Sequence, residues 1–211
     1  MVKLRNVVIG GAVAAVGGAA AYYLRERNSE QPDHRLVRLD KQFELRDYPE
    51  LLVATTEHIG TREKALNRGF DRLAAYIFAK DRPADGEGDA PGRTSEGEGI
   101  AMTAPVLQDA DKASGGWRTR FIMPSRYTRE SLPQPPADIR IESLPARRVA
   151  AVRFSGSPNT NALRKREDEL RRWLERERLQ PIGAFEYAFY NSPMIPPFMR
   201  RNEVLVPVSG D

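Results

Sequence analysis

Apolar and polar residues are arranged along this chain in two regimes. From Val7 to Leu24 no charged residue occurs, between Lys3 and Arg5 on one side and Arg25 and Arg27 on the other. As a helix this stretch rises about 27 Å, close to the roughly 30 Å hydrocarbon core of a bilayer. The pattern predicts an N-terminal membrane anchor over 1–24, with Tyr22 and Tyr23 at the interface. Ala19-Ala20-Ala21 fits the small-residue cleavage site of a signal peptide, which is the alternative. An anchored chain places its soluble part at the membrane, with the extracytoplasmic side expected, although basic residues flank the stretch at both ends. Residues 25–38 are polar and read as a linker.

The second regime alternates strand and helix periods. Leu36 to Tyr48 and Leu51 to Glu57 have strand composition, punctuated by Pro49. From Arg62 to Phe78 the period becomes helical: Leu66, Phe70, Leu73 and Ile77 form one apolar stripe. Ile100 to Gln108 and Trp117 to Met123 read as strands. The order then restarts, with strands at Ile139 to Glu142 and Arg148 to Phe154. A helix over Asn161 to Arg178 turns Leu163, Leu170, Trp173 and Leu174 inward. Strands at Phe185 to Tyr190 and Val204 to Val208 follow.

Local matches support a duplication. Pro49-x-x-x-Val53-Ala54 mirrors Pro145-x-x-x-Val149-Ala150, and Met102 to Val106 mirrors Met194 to Phe198. The expected fold is α+β: a duplicated β-β-α-β repeat forming a distorted antiparallel barrel or curved sheet with two main helices. Such a duplication leaves a cleft on its pseudo-twofold axis, a natural ligand site.

Composition narrows the chemistry. The 211 residues are enough for one domain with its own core, and the absence of Cys removes thiol nucleophiles, disulfides and cysteine-held metals. Lys and Arg total 33 against 29 Asp and Glu, a balance that does not mark a nucleic-acid binder. The second helix carries its charges as i,i+4 pairs such as Glu167 with Arg171, a solvated face. Asp81 to Gly99 is rich in Gly and acid. It has the outline of a calcium loop, but Ala90 stands where the turn glycine belongs, so a mobile surface loop is expected. His58 is the lone His of the predicted domain. It reads either as an axial metal ligand or general base, or as a capping or surface residue. Tyr76, Tyr127, Tyr187 and Tyr190 read as core tyrosines, with phenolate ligation of ferric iron as the alternative. Arg200, Arg201, Asn202 and Glu203 gather donors and acceptors that either lock the last strand or bind ligand carboxylates. An enzyme reading would need Glu186 or Glu142 as a desolvated acid or base in the cleft.

The runs Phe43 to Pro49, Gly69-Phe70 through Tyr76-Ile77, Ile100 to Leu107, Phe121 to Pro124, and Tyr190-Asn191 through Arg200-Arg-Asn-Glu-Val204 together resemble the SOUL family of heme-binding proteins over about 39–208. The resemblance implies non-covalent binding of heme or a related tetrapyrrole, without enzyme chemistry, by a membrane-anchored carrier, buffer or sensor. A binding module for other amphipathic small molecules, or a small hydrolase or dechelatase, is the alternative. The implied pocket is Leu66, Phe70, Leu73 and Ala74 of the first helix with Met194 and Ile195 of the loop before Arg200. The family's basic residues toward the propionates are replaced by Asn67, Ala75 and Ile195, which leaves Lys64, Arg68 and Arg72 as the nearby cations. Asp47 stands where one branch of the family carries a His before Tyr-Pro as axial ligand, a departure from that pattern; His58 is the candidate metal ligand only on the reading of the residues given above.

Overall fold

The computed structural model describes residues 28–80 and 99–210; the expected anchor and the acidic loop lie outside them. Nine strands and two helices follow in the order β1 (Arg35–Asp40), β2 (Phe43–Tyr48), β3 (Leu51–His58), α1 (Arg62–Ile77), β4 (Val106–Asp111), β5 (Gly116–Ile122), β6 (Arg140–Leu144), β7 (Arg147–Phe154), α2 (Thr160–Glu177), β8 (Glu186–Phe189) and β9 (Asn202–Pro207). The strands form one sheet in the order β1-β2-β7-β9-β8-β4-β5-β3-β6. Every neighbouring pair is antiparallel.

This order is symmetric about the β4–β8 pair, with β2-β3-α1-β4-β5 answered by β6-β7-α2-β8-β9, as the duplication predicts. Each half closes on a second strand after its helix, and β1 is an extra edge strand. Two boundaries differ from the sequence pattern. Leu36 to Tyr48 is a hairpin, broken at Lys41, which adopts a positive φ of 57°. Ile100 to Pro105 is a loop, because Pro105 has no N–H for the ladder and the Ala104 amide instead donates to the Glu30 carbonyl at 2.8 Å.

Chain length curls the sheet. β2 and β3 lie six places apart in the sheet, about 29 Å if it were flat. Only Pro49 and Glu50 join them, and three Cα steps span at most about 11 Å. Pro145 and Ala146 impose the same limit on β6 and β7. The sheet therefore rolls until its two ends approach, an open, distorted barrel. Its inner face packs Tyr48, Val53, Leu107, Ile122, Val149, Ala151, Ala188 and Leu205 from both halves.

The outer face carries the helices, each over its own core. Beneath α1 lie Ala54, Val106, Phe121 and Met123; beneath α2 lie Phe43, Ala150, Val152, Val204 and Val206. Of the stripe read on α1, Leu73 and Ile77 are buried, and the four residues read on α2 are all buried. Asn159 caps α2 by accepting from the Ala162 amide at 2.9 Å, and Arg178 ends it in the left-handed conformation. Gly69 lets α1 settle onto β5, since a Cβ there would sit 2.6 Å from Thr119 Cβ. The variant Gly69→Ala is expected to lift α1 and lower unfolding free energy by about 2 kcal/mol, measured by denaturant titration. An unchanged midpoint would show that the contact is not close.

Candidate functional site

Directly paired residues point the same way, so the β4–β8 register decides what faces each side of the joint. Val106 with Phe189, and Gln108 with Tyr187, face the helices; Leu107 with Ala188, and Asp109 with Glu186, face inward. Because α1 and α2 each cover one half, the joint is left open between them. There the outer face holds a cleft of about 620 Å³. Val106 and Phe189 form its floor, Leu66 and Phe70 of α1 one wall, and Tyr190 to Pro193 with Arg200 the other. Met102 and Thr103 of the loop before β4 complete it, with Ser29 among its lining residues. Phe70 is fixed edge-on against Phe121 at 5.3 Å.

Arg62 links the two halves beside this cleft. Its Nη2 donates to the Pro158 carbonyl at 2.8 Å, just ahead of α2, while Gln108 Nε2 returns a bond to the Arg62 carbonyl at 3.0 Å. Burial lowers the guanidinium's affinity for its proton, with Glu63 opposing. On the opposite wall, Arg200 Nε donates to the Ile195 carbonyl at 2.6 Å and its Nη2 to the Pro193 carbonyl at 2.7 Å, fixing the loop.

Behind Tyr190 lies a buried ion-pair cluster on the inner face. Arg46 donates through Nη1 and Nη2 to both oxygens of Glu203, at 2.7 and 3.0 Å. Arg201 reaches Glu203 at 2.7 Å and stacks on the Tyr190 ring, and Tyr190 donates its hydroxyl proton to Glu203 at 3.0 Å. Burial alone would raise the Glu203 carboxyl, but Arg46 and then Arg201 outweigh it and hold it below the ordinary range. Burial, followed by the charge of Glu203, pushes Tyr190 well above a normal phenol. Of the two readings of Arg200 to Glu203, locking the last strand describes what Arg201 and Glu203 do.

The structure brings only part of the sequence-derived site to the cleft. Leu66 and Phe70 line it. Leu73 is fully buried and Ala74 half-buried in the core under α1, and Ile195 is buried within its loop. Met194 projects outward, 79% exposed. At 100° per residue Phe70 lies about 40° round α1 from Leu66, whereas Lys64, Arg68 and Arg72 lie about 160°, 200° and 240° round. Those cations sit on the far flank, where Arg72 makes two bonds to Asp138, at 2.5 and 2.6 Å. His58 belongs to that flank too, at the end of β3. Burial and the charges of Arg68 and Arg72 depress its proton affinity, against Asp138. Glu186 and Glu142 both face inward. Arg147 holds Glu186, and Thr55 and Arg140 hold Glu142 at 2.9 Å each. Met102, Val106, Phe189 and Asn191 were not assigned to a cleft by the sequence, and the matched positions of Met102 and Met194 in the repeat were the one signal for any of them. Arg200 was read only within the cluster that locks the last strand or binds ligand carboxylates, and it lines the cleft. Among the described residues no group of His, Asp and Glu is arranged to hold a metal ion.

The SOUL heme-binding protein model matches residues 29–207. The chain belongs to the SOUL family. That range takes in both halves of the duplication and every wall of the cleft. No curated protein matches the chain. Among solved structures, it is similar to the C-terminal domain of EcmrR, at 15% identity and a TM-score of 0.56, covering 80% of this chain and 97% of that one. It is also similar to a hydrolase from Listeria innocua, at 14% identity and a TM-score of 0.53, covering 82% and 94%. At these identities the likeness establishes the shared fold.

The Arg46–Glu203 cluster predicts an acid dependence. A carboxylate held low in the folded state stabilises fully above its unfolded value of about 4.3, and that stabilisation fades as pH falls through the folded value. Asp47, held at about 2 by Arg148 against burial, with Arg35 assisting, acts in the same direction. Asp109, raised by burial against Arg120 and Arg118, acts in the opposite one. Removing one partner of a buried pair costs about 3–5 kcal/mol. Glu203→Gln is therefore expected to lose about that much at pH 7 and to flatten the decline in stability between about pH 5 and pH 2. Denaturation midpoints across that range check it; a variant as acid-labile as the parent would contradict it.

Proposed function

We propose that this SOUL-family chain binds heme or a related tetrapyrrole without covalent attachment, in the cleft at the β4–β8 joint, as a membrane-anchored carrier, buffer or sensor. One observation carries the reading: the duplication leaves a cleft of about 620 Å³ with an apolar floor of Val106 and Phe189 and an apolar patch, Leu66 and Phe70, on its α1 wall. That volume is ordinary for a small-molecule site, and burying the faces of a flat apolar macrocycle there supplies the binding drive. Asn67 and Asp71 of α1, and Asn191, Ser192 and Arg200 opposite, are among the cleft's polar groups, with Arg200 the cation on the side suited to carboxylates.

The iron, when present, meets little built for it. Tyr76, Tyr187 and Tyr190 each donate their hydroxyl proton to an acceptor, and Tyr187 and Tyr190 are both held above a normal phenol, so neither is a ready phenolate. His58 is on the far flank of α1, and Met102 offers a thioether at the cleft itself. Affinity should therefore follow the macrocycle more than the metal.

The test is a hemin titration of the full chain in mild detergent, followed by absorbance, beside the same titration with iron-free protoporphyrin. Saturable one-to-one binding of both is expected, with affinities within about tenfold of each other. Phe70→Asp should weaken both by roughly thirtyfold, the worth of about 2 kcal/mol of lost apolar burial. A charge at Leu73, also implied for the pocket by the family resemblance, would report on folding instead, because Leu73 is core. Non-saturating binding unaffected by Phe70→Asp would overturn the proposal.

A further inference from the structure

Next to the cleft, whose wall it shares only at Pro193 and Arg200, the domain exposes an apolar surface that the binding reading does not use. Met194 is 79% and Phe198 77% exposed, with Met199 partly so and Pro193, Pro196 and Pro197 in the open. This is a built loop. Ile195 anchors it in the interior, Arg200 clamps the Ile195 and Pro193 carbonyls, and the Gly156 amide donates to the Pro197 carbonyl at 2.9 Å. Rigid presentation of Met and Phe to water is unfavourable for a surface with nothing to cover it. Across a shallow groove from Phe198 and Met199 stand Leu39, itself 61% exposed, and two exposed cations, Lys41 and Arg153.

The direction from which the chain arrives says what covers this surface. Ser29 lines the cleft, Glu30 bonds the Ala104 amide, and Gln31 accepts from Arg201 at 3.1 Å. The N-terminal end of the described domain thus sits at the cleft, on the side of the exposed loop. Leu24, the last residue of the uncharged stretch, is four Cα steps from Asn28, at most about 15 Å. If that stretch enters a bilayer, the loop cannot be far from its surface. Apolar tips beside Lys and Arg are the chemistry of an interfacial contact with acidic lipid. A second copy of the chain fits less well, because the neighbouring edge strand β1 carries Arg35 and Arg38.

We infer that the Pro193–Arg200 loop, with Leu39, Lys41 and Arg153, is a membrane-contact surface that sets the domain on an acidic bilayer with the cleft beside the lipid. The inference rests on the membrane-anchored part of the proposed function and not on which small molecule the cleft takes.

The experiment uses the full chain on phosphatidylcholine vesicles containing about 30 mol % phosphatidylglycerol. Phe198→Trp places a reporter on the loop. Ile182→Trp places one at an exposed position beside Pro207, at the opposite end of β9, and the parent chain with Trp117 and Trp173 is the blank. Brominated lipid should quench and blue-shift the reporter at 198 and leave that at 182 unchanged. The pair Lys41→Glu with Arg153→Glu should cut quenching at 198 about tenfold while the chain still sediments with vesicles. Vesicle binding without quenching at 198, or equal quenching at both positions, would overturn the inference. A blue shift at 198 that appears without lipid and rises with protein concentration would assign the loop to self-association and overturn it equally. Loss of hemin binding with loop quenching intact would strike the function proposed above and leave this one standing.

Discussion

Two linkers of two residues each govern this molecule. Pro49-Glu50 and Pro145-Ala146 join strands that the hydrogen-bond order places six positions apart, so the sheet cannot lie flat. Rolling it gives the sheet an inside, where side chains from both halves meet, and an outside, where each half keeps its own helix. The cleft follows from the same constraint. On a convex face two helices seated over separate halves diverge, and the strands at the joint, β4 and β8, stay uncovered.

The inner face of the roll carries charge as well as apolar packing. Arg46 with Glu203, Arg147 with Glu186, and Arg118 and Arg120 with Asp109 pair across neighbouring or nearby strands. Buried pairs of this kind add little net stability over an apolar filling, since desolvation consumes most of the attraction. Their effect is on register. Arg118, Arg120 and Arg147 each pair with a single carboxylate and Arg46 with Glu203 and Glu44, and a slip of one residue would turn every cross-strand partner to the other face. The Arg46–Glu203 pair also sets the cleft wall, because Tyr190 is held by the same carboxylate. An acid-catalytic use of these carboxylates has no support in such surroundings: Glu186 and Glu142 are each bonded to arginine.

The architecture was legible in the sequence because it rests on short-range signals. Periodicity located both helices, prolines marked the tight links, and the repeat gave the symmetry. The site was legible only in part. Leu66 and Phe70 lie on the stripe that periodicity reveals, but a stripe does not separate a residue under the helix, such as Leu73, from one at its open flank. The cations Lys64, Arg68 and Arg72 are close in sequence to Phe70, yet the helical turn carries them to the other side. Val106 and Phe189 become neighbours only through the pairing of β4 with β8, which is long-range and invisible to any local pattern. Residues 1–27 and the acidic loop lie outside the described structure. Among the described residues no helix is long and apolar enough to cross a membrane.

Comparing the two halves explains why only one of the two helices offers apolar surface to the cleft. Leu66, Leu73, Tyr76 and Ile77 stand 97 positions before Leu163, Leu170, Trp173 and Leu174, so the buried stripes of α1 and α2 correspond. The same shift sets Phe70 against Glu167. On α1 that position offers an aromatic ring to the cleft; on α2 it offers a carboxylate that accepts the Tyr187 hydroxyl at 2.6 Å and pairs with Arg171 at 3.0 Å. Leu163 is buried where Leu66 remains half-open. The α2 flank is thus closed by polar bonds made within the protein, and the α1 flank is left with apolar surface unspent. An ancestral symmetric groove would have offered two equivalent walls. In this chain the duplication has been resolved into one side sealed by polar bonds and one side, at Phe70, with apolar surface still open to the cleft.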